Sequence, residues 1–291
     1  MIPRLGADAQ WLTLHVGVKE EAEKREVTVF WRGPSGNQTV QEQIQLITEA
    51  MLGNAYGIIV QPATFIAENR VLDQALARGI PVVILAEKIA LPPSPHLYYI
   101  LDDTHFTGRL IAERLSQTVR EGDIAILGLE PDVPGSMDRA DSMEASLRKS
   151  APGIHIVDKL TRAPSGSYLD QSVRQMIVDH PQLRAIVALS ASEGVSAAAA
   201  TRAAGARGHV KIIVCGQSID VLLLLRTGIV DSIVVQPIRE MGARAVESIT
   251  ADRNGRTIPH EVLYKATLVT LDNLDTEPVQ QMLLMHRRPP W

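Results

Sequence analysis

The chain has one cysteine in 291 residues, Cys215, so an intrachain disulfide is excluded. That thiol ends an apolar run and reads as a buried, inert side chain, which leaves the redox compartment open. No apolar run approaches the roughly 18 residues of a membrane span. The first residues, MIPRLGADAQWLTLHVG, lack a basic stretch followed by a long apolar core, and do not read as a signal peptide. Neither sign of charge is in large excess. The net charge of −4 gives no general attraction to nucleic acid or to an anionic membrane. No glycine-rich phosphate motif stands where a P-loop or dinucleotide fingerprint needs one. The eight histidines are scattered, and none forms an HExxH pair, so no metal ligand is expected. Gly216-Gln217-Ser218-Ile219-Asp220 begins like a nucleophile elbow, but Asp220 stands where its last glycine belongs and no histidine has a role beside it. The reading is of a protein that is not an enzyme, with no catalytic residue and no cofactor.

What is present is a globular composition, 45% hydrophobic and 21% charged, long enough for two domains of ordinary size. Residues 183–237 organise the rest. Apolar runs at 185–189, 210–214 and 233–235 alternate with helical segments at 193–204 and 219–226, which stop at Gly205 and Gly228. Short β-branched runs alternating with glycine-ended helices predict parallel strands buried on both faces. Sheets of this kind bind ligands outside the carboxyl ends of their strands. Those ends carry Ser190, Gln217 and Gln236, which are polar but are not conventional catalysts, so the site reads as one that holds a molecule.

Upstream, helices are expected over 9–25, 41–51 and 66–77, and strands over 27–31, 57–60, 81–85 and 98–101. A second series follows, with helices over 108–119, 139–150 and 171–178 and strands over 123–127 and 155–159. Asp102 and Asp103 read as a pair at a helix start rather than a metal site. Strand 81–85 is expected to close the first series and strand 231–236 the second. The helix over 239–251 is then free to return to the first lobe, and the chain crosses between lobes near 101–104, 235–238 and 262–267. Several crossings restrict relative motion to a hinge that opens and closes a cleft.

The order of these segments resembles the type I periplasmic sugar-binding proteins, close to the ribose-binding branch, over about residues 4–275. The stretches GIIVQPATFIAENRVLDQALARGIPVVIL, DDTHFTGRLIAERL, SMDRADSMEASLRKSAPGI and GIVDSIVVQPIREMGARAVESI carry the likeness. The ending LVTLDNLD is similar to that of transporter-associated members. The resemblance implies an α/β fold of two similar lobes, each a doubly wound parallel sheet flanked by helices, joined by a multi-strand hinge. One lobe would hold 1–102 plus 237–263 and the other 103–236 plus 264–291. It implies a monomeric, periplasmic or cell-envelope solute-binding protein. Such a protein captures a small sugar or polyol for a membrane ABC permease and has no nucleic-acid partner. The alternative it leaves open is the ligand-sensing core of a LacI-type regulator without its DNA-binding segment; LVTLDNLD and the Trp11 loop favour the transporter side.

The same resemblance implies ligand contacts from Arg4, Asp8, Gln10 and Trp11 before and at the first helix, with Trp11 stacking on a sugar ring. It also implies contacts from Arg139 and from Ser190, Gln217 and Gln236. The guanidinium of an arginine suits adjacent hydroxyls or a carboxylate. This chain departs from the family pattern in several places. Ala86-Glu87 replaces a usual Asp-Arg, Ser190-Ala191 replaces Asn-Asp, and Gln217 replaces an aspartate, so that Glu87 is left to supply a carboxylate acceptor. Ribose specificity is therefore not expected to carry over unchanged. The family also has a strand before the first helix, of which only Ile2-Pro3 stands here. The expectation is that an upstream segment supplies that strand together with an export signal.

Overall fold

The computed structural model describes residues 1–4, 9–34, 39–162 and 166–283. In chain order the first elements are α1 (Ala9–Lys24), α2 (Thr39–Leu52), β1 (Ile58–Val60), α3 (Asn69–Ala77), β2 (Val82–Ala86) and β3 (Leu97–Asp102). Next come α4 (Thr104–Thr118), β4 (Gly122–Leu129), α5 (Pro134–Ser150), β5 (Ile154–Thr161), α6 (Gly166–Asp179) and β6 (Leu183–Ala188). The last are α7 (Ala191–Ala203), β7 (Lys211–Cys215), α8 (Ile219–Arg226), β8 (Ser232–Val235), α9 (Ile238–Arg253), β9 (Glu261–Tyr264), β10 (Thr267–Val269) and α10 (Glu277–Leu283). Among the described residues the strands form two sheets, ordered β1-β2-β3-β9 and β10-β8-β7-β6-β4-β5. The named pairs are parallel except β10, which runs antiparallel to β8 at the sheet edge.

The uninterrupted apolar runs follow from helices covering both faces of each sheet. In the six-stranded sheet alternate residues point to opposite sides. Ala125, Leu127, Ile186 and Val214 meet Val173 of α6, Ala197 of α7 and Leu225 of α8. Their neighbours Ile124, Ile126, Val187 and Ile213 meet Ile111 and Leu115 of α4 and Met143 and Leu147 of α5. The four-stranded sheet repeats the arrangement. Ile58, Val60, Val82 and Ile84 pack on Ile47 of α2 and Leu72 of α3. Ile59, Val83, Leu85 and Ile100 pack on Leu14 and Val18 of α1 and on Met241 and Ala245 of α9.

Three sequence expectations change. Residues 27–31 form no strand. Among the described residues Met1 bonds to this stretch, donating to Phe30 O at 2.6 Å and accepting from Arg32 N at 3.0 Å, and one residue cannot make a ladder. Ile2 pairs on its other side with β1, donating to Ile59 O at 2.8 Å. The strand over 81–85 does not close its sheet, because β3 and then β9 add beyond it. Likewise β10 adds beyond β8. Helices expected to start at 108, 139 and 171 start at Thr104, Pro134 and Gly166. Their first turns are polar or glycine-containing, so apolar periodicity does not reveal them, whereas the Asp103 cap on Phe106 N (2.8 Å) and Pro134 at the first helical position do.

The chain leaves the four-stranded sheet between β3 and α4, returns between β8 and α9, and leaves again between β9 and β10. The return is secured by α9 lying against α1. A Cβ on Gly17 would sit 1.9 Å from Arg239 O, and one on Gly242 would sit 2.5 Å from Leu14 O. Only glycine lets the two backbones come this close. Arg239 adds a forked ion pair to Glu20 at 2.6 and 3.0 Å. At the far end of α9, Asp252 accepts from Tyr98 Oη at 2.8 Å and lies 3.0 Å from His96 Nδ1. Gly17→Ala should therefore lower stability by about 1–3 kcal/mol through overpacking. Urea unfolding checks this, and an unchanged midpoint would mean that the helices do not touch here.

Candidate functional site

The two sheets turn the carboxyl ends of their strands toward the region where the chain crosses. Asp102 is the last residue of β3, and Gln236 directly follows β8. The Asp102 Oδ2 accepts from Arg139 Nη2 at 3.1 Å and from Gln236 Nε2 at 3.0 Å, while Thr107 Oγ1 lies 3.4 Å from Oδ1. Arg139 projects from the second turn of α5. The two acids that looked like one helix-start pair thus divide the work. Asp103 caps α4, and Asp102 is buried among the polar groups of the site. Burial pushes the Asp102 carboxyl above its ordinary value, against the opposing pull of Arg139 and of the hydrogen bonds from Gln236, Arg139 and Thr107.

A second polar group adjoins the first. The Arg4 backbone N–H is held by Gln61 Oε1 at 3.4 Å, and its Nη2 reaches Glu130 Oε1 at 3.4 Å. Arg162 Nη1 donates to the same oxygen at 3.1 Å, and its Nε lies 3.9 Å from Glu193 Oε1. Ser192 donates to Glu193 Oε2 at 3.0 Å, and Ser190 donates to that oxygen as well. Gly128 makes room for this carboxylate. Its φ is 85°, and a Cβ there would lie 3.0 Å from Glu193 Cγ.

The hydroxyl of Ser232 in β8 is buried without a partner among the described residues, and so is Gln217, only 1% exposed. Among the described residues neither its Oε1 nor its Nε2 has a hydrogen-bond partner, and the same is true of Arg139 Nε. It follows β7 one residue after Gly216, whose N–H bonds Val234 O at 2.8 Å, so it stands beside the end of β8 and Gln236. A buried amide with four unused hydrogen-bonding positions demands an explanation, and a ligand supplies one. Cys215 is buried next to it, and burial pushes its thiol up to about 11, which makes it inert near neutral pH.

Of the residues expected from sequence, Arg139 and Gln236 share Asp102, Arg4 and Ser190 join through Glu130, Arg162 and Glu193, and Gln217 stands at the adjacent strand end. Glu87 is half-buried, within the influence of Arg4 and Arg139. Asp8 lies outside the described residues, as do the side chains of Gln10 and Trp11 in the first turn of α1. Asp102, Glu130 and Glu193 were not legible as site residues. Acids in turns and first helical turns are common, and only strand-end position marks Asp102. The Ser218 hydroxyl accepts from Val221 N at 3.1 Å, so the elbow-like sequence serves as a helix cap. Among the described residues no group of three or more His, Cys, Asp or Glu could hold a metal ion. The arrangement can bind and orient a polar molecule.

Residues 1–257 match the family described as periplasmic binding protein domain. The D-ribose/D-allose-binding protein of Pseudomonas aeruginosa is 25% identical over 226 residues, 71% of this chain and 66% of that protein, a little under two thirds of its length. Among solved structures, a carbohydrate transporter solute-binding protein from Agrobacterium radiobacter in complex with D-arabinose superposes with a TM-score of 0.89 at 19% identity, covering 97% of each chain. An ABC transporter solute-binding protein from Agrobacterium vitis bound with α-D-tagatopyranose gives 0.89 at 20% identity, again over 97% of each chain. At these identities the structural likeness is one of fold.

Removing one partner of the buried Asp102–Arg139 pair should be far worse than removing both. Asp102→Ala strands the guanidinium and should cost about 3–5 kcal/mol in urea unfolding. Adding Arg139→Leu should recover part of that loss. Strict additivity of the two substitutions would show that the residues are not paired.

Proposed function

This chain belongs to the periplasmic binding protein domain family, and on that premise we propose that it captures a small neutral sugar between its two lobes and delivers it to an ABC-type importer. The observation that carries the reading is the unpartnered Gln217 amide, buried beside charges that are already matched to one another. A hydroxyl both donates and accepts, so neighbouring hydroxyls of one sugar use both ends of the amide. The Arg139 Nε offers one further donor. A sugar acid fits less well. Arg4, Arg139 and Arg162 face Asp102, Glu130, Glu193 and Glu87, which leaves no surplus positive charge for a carboxylate.

The names of the relatives support a transport role over the sensing core of a LacI-type regulator. One is a ribose- and allose-binding protein, and others are transporter solute-binding proteins with arabinose and tagatose bound. In this reading 1–102 plus 237–263 and 103–236 plus 264–291 are the two lobes, and the protein works in the periplasm or cell envelope. Closure excludes water, so each donor or acceptor that a wrong ligand leaves unpaired costs about 1–3 kcal/mol. That penalty is the source of selectivity. Arg139, Gln217, Gln236 and Asp102 orient the ligand, with Arg4 and Ser190 at the margin of the same polar network.

A thermal-shift screen against neutral pentoses, hexoses and polyols, with the matching sugar acids alongside, tests the reading. A true ligand at a hundred times its dissociation constant adds about 2.7 kcal/mol of stability. Neutral sugars are expected to give the shift and acids none, and a shift with acids alone would overturn the neutral-sugar reading. Gln217→Leu should raise the melting temperature of the ligand-free protein by removing two buried unsatisfied atoms, and should abolish the response to sugar. A mutant that keeps the full response would remove Gln217 from the site.

A further inference from the structure

We propose that a cavity at the amino ends of β4, β5, β6 and β7 is a second binding site, for a small zwitterion whose amine and acid stand several bonds apart, such as a short peptide. Its place follows from strand direction. The four strands are parallel, and Asp123, His155, Arg184 and Lys211 each stand among the first two residues of theirs. With Glu121 and His209 from the adjoining loops they line a cavity of about 720 Å³. Pockets for small ligands are roughly 300–1,000 Å³. The sugar site lies at the other ends of these strands, roughly 20 Å away along the six residues of β6.

The sheet is irregular where this cavity opens. Asp123 of β4 faces Leu183 of β6 and Ile124 faces Ala185, so Arg184 is an extra residue with no counterpart. Residues two apart in a regular strand share a face. Here Leu183 enters the core on one side of the sheet and Ala185 the core on the other. The bulge takes up that change and re-aims Arg184. Bulges are rare between parallel strands, and they collect at strand ends and beside functional sites. Gly122, at φ 116°, lies against the stem of this arginine: a Cβ there would sit 2.6 Å from Arg184 Cγ. Gly153 accepts from Gly122 N at 2.9 Å, and a Cβ on it would sit 3.2 Å from Glu121 Cβ. Two glycines thus leave room for one cation and one acid at the cavity wall.

The charges on that wall do not meet. Among the described residues the side chains of Glu121, Asp123, Arg184 and Lys211 have no hydrogen bond or ion pair, although Asp123 and Lys211 are half-buried. Elsewhere on the same sheet opposite charges find each other, as Arg114 and Asp231 do at 2.7 Å. Removing a charge from water without a partner is unfavourable. The strand order β7-β6-β4 puts the cations on one side and the acids on the other, with backbones roughly 5–10 Å apart. A simple anion would satisfy Arg184 and Lys211 but be repelled by the acids, and a simple cation would meet the reverse. A neutral molecule gives neither half a charged partner. An ammonium and a carboxylate on one molecule match both halves with charge-assisted hydrogen bonds. In an α-amino acid one carbon separates these groups, too short a span for charges on different strands. His155 and His209 offer further donors or acceptors to a peptide amide.

Nuclear magnetic resonance titration of the full chain, isotope-labelled at histidine, tests the site through the ring signals of His155 and His209. The probes are glycylglycine and ε-aminocaproate, with caproate and hexylamine as one-ended counterparts. Saturable shifts are expected with both zwitterions. The one-ended probes should bind at least about tenfold more weakly, the loss that follows from one missing charge-assisted hydrogen bond. Asp123→Asn should weaken ε-aminocaproate and leave caproate bound no worse, because a repulsion is removed. The double variant Arg184→Gln, Lys211→Gln should weaken ε-aminocaproate and leave hexylamine bound no worse. All these variants should keep a cooperative melt and the wild-type response to sugar, since the changes lie at the far end of the sheet. The absence of a saturable shift with every probe would overturn the site. Caproate or hexylamine binding as tightly as ε-aminocaproate would overturn the zwitterion, and so would wild-type affinity in both variants. Gln217→Leu should bind the zwitterions unchanged, so the failure of either site leaves the other standing.

Discussion

Asp102 is the joint on which the arrangement depends. It ends β3, where the chain first leaves the four-stranded sheet. Its carboxylate is held by Gln236, where the chain returns, and by Arg139 from a helix of the other half. One buried acid therefore ties two crossings and one helix to a single point. A buried charge is tolerated only when paired and hydrogen-bonded, and here each partner comes from a different segment. The pairing fixes where the two halves meet as much as it adds to stability.

The sheets supply rigidity around that joint, and the site carries the exceptions. The inner strands of each sheet are covered by helices on both faces, and α1 and α9 approach so closely that Gly17 and Gly242 are required. At the strand ends the rules change. Among the described residues Gln217 keeps a buried amide and Arg139 an Nε without a partner, and Ala86 takes a left-handed backbone. Each of these lowers the stability of the empty protein. In the proposed reading a polar ligand supplies partners to Gln217 and Arg139.

The fold was legible in sequence because sheets covered on both faces leave a strong trace. Runs such as IIV and VVILA cannot be surface strands, and Gly79, Gly205 and Gly228, all at positive φ, punctuate the helices between them. Part of the candidate site was legible for a related reason: residues at strand ends are positioned by the sheet, so the placement of Ser190, Gln217 and Gln236 at those ends follows from register alone. Glu130, Arg162 and Glu193 could not be placed that way. They lie at the end of β4, after β5 and in the first turn of α7, and nothing local says that Arg162 bridges the two acids. The strand expected over 27–31 failed for the converse reason, since alternation shows a capacity to pair but not whether a neighbour is present.

By itself, then, the sequence determined the two alternating series, the direction of their strands and the polar residues at their carboxyl ends, because hydrophobic period and glycine placement are local properties. Which acid of Asp102-Asp103 caps a helix and which anchors the crossing was decided only by tertiary structure. So was the bridge that Arg162 makes between Glu130 and Glu193. Charge pairs join residues far apart in the chain, and no local pattern encodes the partner. They are specified only once both sheets are folded and brought face to face.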